Sequence, residues 1–106
     1  MSDIKTPKDT TAVTETQIKE WKRKFGKILC YEVDGEKIYF KRPDRKVLAS
    51  ASMVAKNDPV EYSEFILNNC FIGGNKELLY DDSVFLGLMQ VIDQFISIKV
   101  GELKNL

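Results

Sequence analysis

No histidine occurs anywhere in this chain. That absence removes the usual general base near neutral pH, the commonest metal ligand, and every Ser-His or Cys-His nucleophile arrangement. Most hydrolase mechanisms fall away with it. Cysteine is nearly as scarce: Cys30 and Cys70 are the only two, too few for a zinc site without nitrogen ligands. Each stands in an apolar stretch, so both are expected as buried free thiols of a reducing compartment. No apolar run approaches the roughly 20 residues that cross a bilayer, and residues 1–8 lack an apolar h-region. Neither export nor membrane insertion is expected, and the cytoplasm of the cell is the expected location. Charge of one sign is missing too. Sixteen Lys and Arg balance sixteen Asp and Glu, so no overall positive field draws the chain onto phosphate backbones, and nucleic acid is disfavoured as a partner.

What is present is the composition of an ordinary folded domain, 43% hydrophobic and 30% charged over 106 residues, enough for one core. Residues 1–13 are polar and without period, which predicts a flexible arm. Thr14 and Gln17 form a capping-box pattern, and Ile18, Trp21 and Phe25 recur on one helical face until Gly26. Asp34-Gly35 between two β-rich runs predicts a two-residue hairpin over about 27–41, with Val33 opposite Glu36. Leu29, Tyr31, Val33, Ile38 and Phe40 then share the core side. Cys30, Tyr39 and a Glu32–Lys37 ion pair share a mixed, partly wet side.

Pro43 and Asp44 suit the first turn of a helix over about 43–56, whose stripe is Val47, Leu48, Ala51, Val54 and Ala55. Asp58-Pro59 starts a third helix over about 59–70, with Tyr62, Phe65, Ile66 and Asn69 or Cys70 inward, and Gly73-Gly74 supplies the left-handed conformations that end or redirect the chain. Residues 75–80 read as a connector. Asp81, Asp82 and Ser83 offer caps for a last and longest helix over about 82–100, buried through Phe85, Leu88, Met89, Ile92, Phe95, Ile96 and Val100. The fold class is α+β: an N-terminal helix and a two-stranded antiparallel hairpin packed against a C-terminal bundle of about three helices.

Chemistry-bearing patterns are sparse. Asp81 and Asp82 with Glu77 form either a Mg²⁺ or Ca²⁺ cluster or, as we prefer, caps. Gly73-Gly74-Asn75-Lys76 lacks the full phosphate-loop pattern and reads as a turn. Lys19, Lys22, Arg23, Lys24 and Lys27 interleave with Trp21 and Phe25, as a helix that binds RNA or an acidic protein or, more simply, as its solvated face. Lys41, Arg42, Arg45 and Lys46 form a second basic cluster, either solvated or a rim for an acidic partner. No catalytic, cofactor or metal residue is assigned, and a non-enzymatic protein is expected.

The run Phe25-Gly26-Lys27, Asp34-Gly35, Tyr39-Phe40-Lys41-Arg42-Pro43, then Arg45, an Ala/Ser-rich helix, Asp58-Pro59, and Asn69-Cys70 leading to Gly73-Gly74 resembles the small tail assembly chaperones of long-tailed bacteriophages and prophages. The resemblance spans roughly residues 15–100. It implies a cytoplasmic protein of a bacterial host that binds the long helical tape measure protein and keeps it soluble during virion assembly. A binder of this kind needs an apolar surface with polar rims. Trp21, Phe25, Phe71, Leu78, Leu79 and Tyr80, with Arg42 and Arg45 as rim, are the candidate partner-binding residues, for a client or for self-association. The alternatives are a structural virion component, such as a tail completion or connector protein, and a small nucleic-acid-binding regulator.

Overall fold

The computed structural model of the chain describes residues 13–55 and 57–106. The predicted arm therefore lies outside the described residues except for Val13. α1 spans Glu15–Phe25. Thr14 opens it with a full capping box, its hydroxyl accepting from the Gln17 N–H while the Gln17 side chain accepts from the Thr14 N–H. Gly26 closes it at φ 80°.

β1 (Ile28–Val33) and β2 (Glu36–Lys41) pair antiparallel in the predicted register, from Val33↔Glu36 out to Ile28↔Lys41. Asp34 at φ 52° and Gly35 at φ 80° supply the two left-handed residues that a tight hairpin turn needs. Ile38 and Phe40 are fully buried, and Leu29, Tyr31 and Val33 pack against the same core. On the other side Glu32 opposes Lys37 as expected. They form no ion pair; among the described residues ion pairs join Arg23 to Glu20 and Lys104 to Glu102.

α2 (Arg45–Ala55) begins two residues later than its proline implied. The carboxylate of Asp44 accepts from the Val47 N–H at 2.9 Å and acts as the cap, which leaves Pro43 before the helix. Ala51 and Ala55 are buried, but Val54 points to solvent. α3 (Pro59–Cys70) starts on Asp58, which accepts from the N–H groups of Val60 and Glu61. Its buried positions are Ser63, Ile66, Leu67 and Cys70, while Tyr62 and Phe65 are half-buried and Asn69 is exposed.

The chain beyond α3 runs on as a third strand, β3 (Phe71–Gly74), antiparallel to β2 with an irregularity between Tyr39 and Phe40; of the two glycines expected at positive φ, Gly74 takes it, at 104°, where the strand ends. The sheet order is β1-β2-β3. A short 3₁₀ turn, Lys76–Tyr80, replaces the connector.

The last helix also ends early: α4 covers Asp82–Gln90, shorter than α3, and a second 3₁₀ turn follows over Ile92–Phe95. A 3₁₀ turn stacks residues three apart, which places both Ile92 and Phe95 in the core, with the Phe95 ring 5.1 Å from that of Phe40. The guanidinium of Arg42 donates through Nη1 to the carbonyls of Gln94 and Phe95 at 3.0 and 3.2 Å. Those carbonyls would otherwise serve the next helical turn. Residues 97–106 carry neither helix nor strand, and Val100 is exposed rather than buried.

Candidate functional site

The predicted partner-binding residues do not gather on one surface. The ring of Trp21 rests on the face of the sheet opposite the core, 5.6 Å from the ring of Tyr39, and it fills the space where a side chain at position 73 would stand. Tyr39, expected on a partly wet face, is buried beneath it. Phe71 packs edge-on against Phe40 at 5.9 Å. Leu79 is buried in the core, and half-buried Leu78 packs against it. Arg42 is committed to the carbonyls of the C-terminal turn. Arg45 and Tyr80 are exposed, Tyr80 by 72%.

The two basic clusters, separate in sequence, meet at Phe25. Lys24 Nζ lies 5.4 Å and Lys41 Nζ 5.1 Å from the centre of its ring, within the range of a cation–π contact. The N-terminal helix and the end of β2 therefore share one basic and aromatic corner.

A groove that the residue pattern did not reveal runs between α2 and α3. Val54, Phe65, Glu61, Glu64 and Asn68 line a hollow of about 290 Å³. Glu64 and Asn68 also line a small recess with Leu67, Leu79, Tyr80 and Phe85, so the groove continues across α3 toward Tyr80. Val54 is 59% exposed, and Met53 and Val60, near the loop that joins the two helices, are exposed as well. Sequence reasoning counted Val54 in the buried stripe because it stands three residues beyond Ala51. Nothing on α2 itself marks Val54 as exposed; Glu61 and Glu64, which share its groove, lie on the facing helix and become informative only once α2 and α3 are paired.

A second hollow, of about 150 Å³, lies beside β1 and is lined by Leu29, Cys30, Tyr31, Phe40, Val91, Gln94 and Phe95. Cys30, predicted buried, is exposed, while Cys70 is fully buried. Burial pushes the Cys70 thiol up to about 11, with Lys41 pulling it down and Asp44 pushing it up to lesser degrees. The Tyr39 hydroxyl is held above its ordinary value of 10.0, first by burial and then by its neighbours Cys30 and Glu32.

The remaining motifs are accounted for by local structure. Asp81 caps α4 by accepting from the N–H groups of Ser83 and Val84. Asn75 caps the first 3₁₀ turn. Lys76 lies 5.8 Å from the Phe71 ring. Among the described residues no group of three or more His, Cys, Asp or Glu is placed to hold a metal ion, and no helix is long and apolar enough to cross a membrane. Comparison with protein-family models, with curated proteins and with solved structures finds no match to this chain.

Proposed function

We propose that this chain is a non-enzymatic binding domain that takes an amphipathic helix of a long client protein into the groove between α2 and α3. The observation that carries the reading is the exposed Val54 beside Phe65, with the carboxylates of Glu61 and Glu64 on the same groove. A client helix with one apolar stripe flanked by Lys or Arg would cover the first two residues and pair with the other two. The sequence resemblance supplies the class of client: a phage tape measure protein, held soluble in the cytoplasm of a bacterial host before tail assembly. The test is capture by the tagged chain in cells that also express its neighbouring genes. Wild type should retain a very long, helix-rich protein, and Val54→Asp, which alters an exposed side chain, should lose it. Equal retention by a folded Val54→Asp protein would remove the groove from the account.

The Phe25 corner favours a second reading, a regulator that binds nucleic acid, because two basic clusters and an aromatic ring converge there. Binding of a single-stranded oligonucleotide that weakens steeply with added salt, and is lost in Lys24→Ala/Lys41→Ala, would support it over the client. A structural virion component would persist in purified particles, whereas an assembly chaperone would be absent from them.

A further inference from the structure

β1 is an edge strand, with β2 on one side and no strand on the other among the described residues. Such an edge presents unpaired N–H and C=O groups that template a further strand. Against its core side lies the hollow of about 150 Å³ lined by Leu29, Tyr31, Phe40, Val91 and Phe95, comparable to cavities that hold a benzene-sized apolar group. The chain leaves the folded body at the rim of this hollow, where Gln94 and Phe95 stand. The segment that follows is apolar and uncovered: Ile98 is 74% exposed, Val100 89%, and Leu103 and Leu106 are fully exposed.

We infer that residues 97–101 from a second copy of this chain add to β1 as a fourth strand, the two copies exchanging their C-terminal segments about a two-fold axis. Residue spacing matches the site. Ile98 and Val100 are two apart and so share one face of a strand, the face that would meet Leu29 and Tyr31 and enter the hollow. Ser97, Lys99 and Gly101 then share the face that carries Cys30 and Glu32. Charge matches as well, because this face brings Lys99 to Glu32, which has no ion pair in its own chain among the described residues.

The occupant is a second copy because each chain carries both halves of the contact: an uncovered apolar segment and an edge with an unfilled hollow. In its own subunit the segment stands in solvent. Exchange about a two-fold covers both segments at once. The contact is independent of the client groove, which lies on α2 and α3, so client capture is read out separately.

The test is the mass of the full chain in solution by light scattering, with disulfide trapping. Wild type should be a dimer, and Ile98→Asp/Val100→Asp should halve the mass while keeping the helical circular dichroism signal and the cooperative melt of a folded chain. Lys99→Cys, mildly oxidised, should yield a covalent dimer through Cys30 that Cys30→Ser abolishes. A wild type that stays monomeric at its highest attainable concentration overturns the inference. So does a dimer that survives Ile98→Asp/Val100→Asp, or a disulfide that joins Cys30 to the introduced cysteine within one chain.

Discussion

Cys70 sits at the end of α3 with no solvent exposure, while Cys30 lies on the outer face of the edge strand. Since the thiolate is the reactive form, a thiol reagent at pH 8 should label one cysteine in the native protein and two after unfolding, and Cys30→Ser should remove the native label. The same burial makes stability depend on alkali. The unfolded chain releases the Cys70 proton near its ordinary value of 9.0, whereas the native state holds it to about 11. Unfolding therefore releases a proton in that window, and the associated stability, complete below pH 9, is lost as pH rises toward 11. The loss is about 2 kcal/mol, and the raised Tyr39 hydroxyl acts in the same direction. Denaturant melts at pH 8 and pH 11 measure it, and Cys70→Ala should reduce the difference, leaving the part due to Tyr39. The two thiols look alike in sequence because both have apolar neighbours. What separates them is strand parity, since Cys30 falls opposite Tyr39 on the side away from the core, and the parity could be counted from Asp34-Gly35.

Elements governed by local chemistry were legible: the hairpin and its whole register, the caps at Thr14, Asp58 and Asp81, and the span of α3. Those decided by distant partners were not. β3 is four residues long and half glycine, so locally it reads as a helix stop. Only its pairing with Ile38, Tyr39 and Phe40, far off in sequence, makes it a strand. Gly73 is needed there because Trp21 lies where its Cβ would be. Gly73→Ala should displace the ring, shift the emission of the only tryptophan to the red, and cost about 1–3 kcal/mol as overpacking. α4 likewise continues on periodicity alone, but Arg42 draws the carbonyls of Gln94 and Phe95 out of the helical pattern. Arg42→Ala should speed amide exchange over residues 92–98 and cost about 1–3 kcal/mol, measurable by hydrogen exchange and denaturant melts.

Across the whole molecule, the described residues extend 67 Å along one axis with a radius of gyration of 16.3 Å, where a compact chain of this length gives about 13 Å. The uncovered C-terminal segment and the open groove both follow from apolar side chains that this small core does not enclose. The groove was illegible in sequence because it depends on which side of α2 meets α3: Ala51 and Ala55 turn inward and leave Val54 at the surface. Of the candidate partner-binding residues, Tyr80 stands next to that groove and Phe25 anchors the basic corner, while Leu79 and Trp21 serve packing. The most direct measurement is the affinity of the purified chain for its captured client, comparing wild type with Val54→Asp and with Glu61→Lys/Glu64→Lys. The account predicts at least a tenfold weakening in each variant, about 1.4 kcal/mol, with native circular dichroism spectra. Unchanged affinity in folded variants would contradict a groove that binds by apolar contact and acidic rim.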